Sequence, residues 1–174
     1  MPLTRADLLA RFVELGIETK THDHPAVFTV AESREIKHAI PGGHSKNLLL
    51  KDKKGRVFLV TAEADAAIDL KAISEKIGAS GRVTFGKAEL LMELLGVIPG
   101  AVTPFGVVND VERVVTMVID APMMEHEILN FHPLENTATT SIRREDLVRF
   151  LGETGHPPLI ITVSNGKIVV DDEG

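Results

Sequence analysis

No cysteine occurs anywhere in the 174 residues, which excludes disulfides, thiolate catalysis and cysteine-ligated zinc. A reducing cytosol is the expected home for such a chain. Trp and Tyr are also absent and Phe numbers only seven, so Leu, Ile, Val and Ala must build the core. Long apolar runs are missing as well. The longest uncharged stretch, Leu94 to Val108, is interrupted by Pro99 and Pro104, which leaves no segment able to span a bilayer. Near the start, Asp7 stands where a secretory signal would need apolar residues.

What is present fits one globular domain over residues 1–174, with 44% hydrophobic and 25% charged residues. The net charge of −6 argues against a nucleic-acid partner until its distribution is read. Lys37, Lys46, Lys51, Lys53, Lys54 and Arg56 are opposed only by Asp52, so this short segment carries +5 on an otherwise acidic chain. Such a patch can attract a phosphate backbone while the acidic remainder limits indiscriminate binding. From charge alone the favoured reading is a solvated hairpin tip, since Asp52-Lys53-Lys54-Gly55 reads as a turn. Lys71, Lys76, Arg82 and Lys87, opposed by Glu75, form a second and weaker cluster.

Local patterns predict a first helix from Arg5 to about Leu15, capped by Thr4 and stopped by Gly16. Glu18 to Asp23 reads as a strand, and Thr29 opens a helix that Pro41-Gly42-Gly43 ends. Asn47–Lys51 and Arg56–Thr61 form the clearest hairpin. Helices follow near Asp69–Ile77 and Lys87–Leu95, with Arg82–Phe85 too short to assign. Gly96 to Gly106 cannot continue either neighbour, and its apolar residues predict a packed loop. Val114–Asp120, Ile128–Phe131 and Thr137–Ile142 read as strands, and Arg143–Leu151 as a helix with Leu147, Phe150 and Leu151 inward. A terminal pair, Leu159–Val163 and Lys167–Val170, turns at Ser164-Asn165-Gly166. Helices interspersed with hairpins predict an α+β domain with a mixed, mainly antiparallel sheet.

Seven histidines raise the question of a metal. His22 and His24 would share one strand face, and His126 and His132 are close in sequence, but no helical His-Glu-x-x-His spacing occurs and no metal is assigned. Serine catalysis lacks a Gly-x-Ser-x-Gly elbow. Gly42-Gly43-His44-Ser45-Lys46 lacks the spacing of a phosphate loop, and a strand rather than a helix follows it.

A combination of segments is more informative. His24-Pro25-Ala-Val-Phe-Thr-Val30, Ser45-Lys46-Asn47-Leu48, Pro99-Gly100-Ala101-Val102-Thr103-Pro104-Phe105-Gly106 and Asn130-Phe131-His132-Pro133-Leu134 through Asn136-Thr-Ala-Thr-Thr140 occur in this order over most of the chain. In this set the sequence resembles the stand-alone prolyl-tRNA editing proteins of the YbaK type, relatives of the editing domain inserted in bacterial prolyl-tRNA synthetases. It resembles most the branch that clears alanine from proline tRNA; branches that clear cysteine or other small residues are the alternatives. The resemblance implies a curled mixed sheet surrounded by helices. It implies hydrolysis of the ester joining a wrong amino acid to the terminal adenosine, without a cofactor. A non-catalytic module binding the tRNA acceptor end is the competing class.

The resemblance also implies roles. Lys46 would hold a phosphate or the polarised ester, and Asn47 would orient the substrate. Gly100 would let backbone approach the ester and a water, in a loop where Ala101, Thr103 and Pro104 also meet substrate. His132 would line the amino-acid pocket and limit its size. From the two basic clusters rather than from the resemblance, Lys51 and Arg82 would help Lys46 hold the acceptor stem. Each residue also has an ordinary structural reading: a strand-start lysine, a hairpin asparagine, a tight-turn glycine, a histidine held before Pro133. The implied partner is the acceptor end of mischarged tRNA(Pro), with prolyl-tRNA synthetase or an elongation factor as transient partners and no membrane, in the cytoplasm.

Overall fold

A computed structural model describes residues 1–26 and 30–165. Thr29, expected to open a helix, and the expected strand Lys167–Val170 lie outside the described residues. Helix α1, Arg5–Glu14, begins with a reciprocal cap. The Asp7 N–H donates to Thr4 Oγ1, and the Thr4 N–H donates back to the Asp7 carboxylate at 2.9 Å. Leu8 and Phe12 on its inner face are fully buried.

The remaining elements are β1 (Thr19–Asp23), α2 (Val30–Ala39), β2 (Gly43–Lys51), β3 (Val57–Glu63), α3 (Leu70–Lys76), β4 (Thr84–Phe85), α4 (Ala88–Leu95), β5 (Val115–Asp120), β6 (Ile128–Phe131), β7 (Ala138–Arg143), α5 (Arg144–Glu153) and β8 (Leu159–Ile161). Among the described residues, eight strands join in one sheet of order β1-β7-β6-β2-β3-β5-β8, with β4 added to the end of β2. Pairings β1–β7, β2–β3, β2–β4 and β6–β7 are antiparallel, and β2–β6, β3–β5 and β5–β8 are parallel. The expected mixed α+β sheet is therefore present, with helices packed around it.

Two apolar clusters hold the sheet. One contains Leu49, Leu59, Met117 and Leu129 under α1, α4 and α5; the other contains Leu50, Phe58, Val60 and Val118 under α3. Strand β3 is buried along its whole length because both clusters cover it. The scarce phenylalanines are concentrated in the first cluster. Phe105 sits 5.1 Å from Phe12, 5.8 Å from Phe150 and 5.4 Å from Phe131, measured between ring centres. These edge-on contacts tie the Gly/Pro segment to α1, α5 and β6. That segment is more ordered than a loop: Pro104–Asn109 forms a 3₁₀ helix, with Pro104 at its start and the Thr103 hydroxyl capping Phe105 N at 3.2 Å.

Strand β2 begins four residues before the predicted hairpin, because Gly43 and His44 pair with β6. A second 3₁₀ turn, Ala121–Glu125, has no counterpart among the predicted elements.

Candidate active site

Strands β2 and β6 pair for only two residues, Gly43 with Leu129 and His44 with Asn130. Beyond that they part, β2 continuing with β3 and β6 with β7. A cavity of about 70 Å³ fills the wedge, lined on one side by Ser45 and Asn47 and on the other by Asn130, Phe131, His132 and Thr139. Ile36, Lys37 and His44 complete it.

The wedge is fixed by polar bridges where ladder bonds end. Asn130 is almost fully buried. Its amide donates to the carbonyls of Pro41 and Gly43, both at 3.1 Å, and its Oδ1 accepts from Ser141 Oγ at 2.5 Å. Ser45 Oγ donates to the Asn130 carbonyl at 3.2 Å, crossing the gap between the strands. The amide of Asn47 donates to Ser45 Oγ, while its Oδ1 accepts from the Thr61 hydroxyl at 2.6 Å. Gly42 makes this close approach feasible. At φ +108° it takes a backbone conformation that side chains resist, and a Cβ there would stand 2.8 Å from the Ile128 carbonyl oxygen.

His132 follows β6 and is mostly buried. Its Nδ1 donates to the Ala138 carbonyl at 2.9 Å. Burial lowers its pKa from the ordinary 6.5, the hydrogen bond to Ala138 partly restoring it and the nearby His24 lowering it further. His44, whose Nε2 donates to the Ile40 carbonyl at 2.8 Å, is lowered in the same way by burial, against that hydrogen bond.

Lys46 is not among the residues lining the cavity. Strand alternation sets it on the opposite face of β2 from Ser45 and Asn47. It is half-buried, and burial lowers its pKa from the ordinary lysine value, with Asp65 raising it and Lys37 lowering it. Lys37 lines the cavity itself, so two basic residues stand at this end of β2. Gly100, at φ +93°, is exposed, and a Cβ on it would lie 3.6 Å from Asn136 Nδ2, in the turn that carries His132. Ala101 and Thr103 have no exposed surface, and Pro104 is buried. Their side chains complete the core and the 3₁₀ cap, so Gly100 is the residue of this group that a ligand can reach directly.

The basic segment is divided by the length of β2. Lys37 and Lys46 stand at the cavity end, whereas exposed Lys51, Lys53 and Lys54 stand at the hairpin tip. Lys51 lies five residues beyond Lys46, about 17 Å along the strand. Exposed Arg82 joins the tip through the connection that leads into β4, whose Thr84 pairs with Lys51. Arg56 is committed elsewhere: its Nε meets Asp52 at 3.0 Å and its guanidinium donates to the Gly78 carbonyl at 2.8 Å.

Among the described residues no cluster of three or more His, Asp or Glu is placed to hold a metal. His24 bonds Thr139 Oγ1 through Nε2 at 2.8 Å, and His126 bonds Glu63 at 3.1 Å. A larger open groove, about 1000 Å³, lies between the end of α1 and strands β1 and β7. Lys20, His22, His126 and Arg143 contribute to its lining, but no expected site residue does. The smaller wedge is the better candidate because hydrogen-bonded polar groups from separate strands converge there.

Sequence reading did not identify Asn130, Thr139, Ser45, His44 or Lys37 as cavity residues. An asparagine inside the apolar strand Ile128–Phe131 was the available signal for the first of them.

Residues 24–150 match the model of the aminoacyl-tRNA editing domain, a span that contains every wall of the wedge. The chain belongs to that family of domains. Among its relatives is the zebrafish (Danio rerio) prolyl-tRNA synthetase associated domain-containing protein 1, 41% identical over 160 residues, which cover 91% of this chain and 86% of that protein. Another is the prolyl-tRNA editing protein ProX of Acetoanaerobium sticklandii, 35% identical over 150 residues, 86% of this chain and 91% of that protein. The fold is shared with a crystal structure described as a candidate trans-editing enzyme for prolyl tRNA synthetase. The two superpose with a TM-score of 0.69 at 19% identity, covering 95% of this chain and all of the other.

Proposed function

We propose that the protein is a trans-editing deacylase that hydrolyses alanyl-tRNA(Pro) and spares prolyl-tRNA(Pro). The observation that carries this reading is the size of the wedge. At about 70 Å³ beside a fixed His132, it is on the scale of a small aminoacyl group. A synthetase pocket that accepts proline gains only about 1–3 kcal/mol against a substrate lacking a methylene, so a second pocket with the opposite size preference supplies the missing discrimination. The name of the ProX relative supports the class of substrate.

In this reading a water oxygen attacks the ester carbonyl carbon, the bond to the ribose oxygen breaks, and that oxygen takes up a proton. The ester is already activated, so positioning and electrostatic stabilisation suffice, and no cysteine or serine nucleophile is required. Lys46 stabilises the terminal phosphate or the developing oxyanion from the β2 side. Gly100 allows backbone to approach the ester. His132 closes the amino-acid pocket. Lys51 and Arg82 contact acceptor-stem phosphates away from the pocket. The protein acts in the cytoplasm, meeting prolyl-tRNA synthetase or an elongation factor only in passing.

The test is release of free amino acid from tRNA(Pro) charged separately with alanine, cysteine and proline. Alanine alone should be released rapidly. Preferential cysteine release would assign the chain to another substrate branch, and no release from any of the three would leave a binding module.

A further inference from the structure

Asn136 is buried, yet its side-chain amide makes no hydrogen bond among the described residues. An amide taken out of water without a partner is a standing penalty on the fold. Buried Asn130 shows the usual outcome, with its Nδ2 and Oδ1 both engaged. The unspent amide of Asn136 faces the exposed Gly100. A Cβ built on Gly100 would lie 3.6 Å from Asn136 Nδ2 and within 4 Å of no other atom beyond its own chain neighbours. A group that approaches across Gly100 therefore meets this nitrogen first.

Both sides of the opening are fixed. Ile98-Pro99-Gly100-Ala101 is a turn closed by the Ala101 N–H donating to the Ile98 carbonyl at 3.0 Å. Pro99 is second and Gly100 third at φ +93°, as a type II turn requires. Opposite, Leu134 is held at φ +70° with its side chain in the first apolar cluster. Glu135 accepts from Arg5 Nη1 at 3.2 Å and from Thr137 Oγ1 at 2.6 Å. The Thr137 carbonyl accepts from the His24 N–H at 2.9 Å. Asn136 thus stands between two anchored residues, four positions beyond His132 in the same turn. A rigid turn that presents an unspent donor can stabilise charge that appears only during a reaction, because nothing has to reorganise at that moment.

We propose that Asn136 is a catalytic residue whose Nδ2 donates to the ester carbonyl oxygen as the attack of water turns it into an oxyanion. This inference rests on the editing reading above. The bond from water to the carbonyl carbon forms, and the carbonyl π pair moves onto its oxygen. Asn136 hydrogen-bonds that oxygen without giving up a proton. When the pair returns, the bond to the ribose oxygen breaks, and that oxygen leaves with a proton supplied by the attacking water. Lys46 meets the substrate from β2 and Asn136 from the turn after β6. Because the donor meets full charge only in the transition state, its effect falls on the rate and not on substrate binding.

The experiment pairs single-turnover deacylation of alanyl-tRNA(Pro) with thermal melts of Asn136→Leu and Asn136→Asp. Leucine keeps the shape and removes a buried unspent amide, so its melting temperature should equal or exceed that of wild type. Its rate constant should fall about a hundredfold, the loss expected for one oxyanion donor, with half-saturation changed by less than about twofold. Aspartate keeps the shape but sets negative charge against the oxyanion, and should be no more active than leucine. Stability and rate moving apart is the mark of an amide held for substrate. The inference is overturned if either variant keeps its rate within about threefold of wild type, if the loss lies in half-saturation alone, or if the leucine variant melts clearly below wild type, which would mark a structural asparagine. Failure of wild type to release alanine would instead remove the editing reading on which the inference stands.

Discussion

His132 donates through Nδ1 to the carbonyl of Ala138 at 2.9 Å, so the turn between β6 and β7 closes on its own histidine. Burial holds this imidazole below 6.5 despite that hydrogen bond, and its Nε2 lone pair is present at neutral pH. Activity on alanyl-tRNA(Pro) should therefore be level above the ordinary 6.5 and fall only at pH below it, where protonation places a charge on the ring that closes the pocket. The stability effect has the same sign. The unfolded imidazole takes up a proton near 6.5 while the folded one resists, so stability is full above that value and declines as pH falls through it. A pH series of kcat/KM for wild type and His132→Ala checks this. The acid limb should be reduced or absent in the variant.

Lys46 stands half-buried on the strand face opposite Ser45 and Asn47, with Lys37 and Asp65 close enough to influence its charge. Replacing it with alanine should lower kcat by about a hundredfold, the loss expected when one electrostatic contact to a developing oxyanion is removed. The melting temperature should change by no more than about 2 °C, since the amine makes no hydrogen bond among the described residues. Single-turnover deacylation and thermal melts of Lys46→Ala measure both. Full activity in this variant would take Lys46 out of the site.

The Asp52 carboxylate organises the hairpin tip. It accepts from the N–H groups of Lys54, Arg56 and Ser80 at 2.8–2.9 Å and from the Arg56 guanidinium at 3.0 Å. Burial alone would raise its pKa, but these donors outweigh it and hold the group at about 2. Its contribution is present above the ordinary 3.8 and is lost as pH falls through about 2. Asp52→Ala should lower the melting temperature by several degrees at pH 7 and by less near pH 2. Its alanine-over-proline preference should be unchanged, because the tip lies far along β2 from the wedge.

Lys51 and Arg82 are exposed at that same tip, separated from the cavity. Charge reversal at either should weaken tRNA binding and flatten its salt dependence by about 0.7–0.9 in logarithmic slope per lost phosphate contact. The alanine-over-proline cleavage ratio should not move, since phosphate contacts position the nucleic acid and the wedge reads the amino acid. Binding titrations of Lys51→Glu and Arg82→Glu across a salt series decide this. An unchanged slope would return the lysines to a solvated turn.

The secondary structure was legible wherever local chemistry acts alone. The Thr4 cap, the buried face of α5 and the packed character of the Gly96–Gly106 segment all follow from short-range pattern. The early start of β2 was hidden because Gly43 and His44 pair with a strand more than eighty residues away. The site divides along the same line. His132 and Gly100 stood out only through a combination of distant segments, and both sit near the turn after β6. Thr139 and Asn130 gave little warning, since a threonine in a β-rich run and a single strand asparagine are ordinary until the partners are known. The +5 segment misled in another way. Adjacent in sequence, its charges are distributed over both ends of a nine-residue strand, and Arg56 is held by Asp52.

The most direct measurement of the central claim is the ratio of kcat/KM for alanyl-tRNA(Pro) over prolyl-tRNA(Pro), taken for wild type and for His132→Ala. Wild type should release alanine and leave the prolyl ester intact, and the alanine variant, with its cavity opened, should begin to cleave prolyl-tRNA(Pro). Equal cleavage of the two esters by the wild type, or a ratio indifferent to His132, would contradict the account.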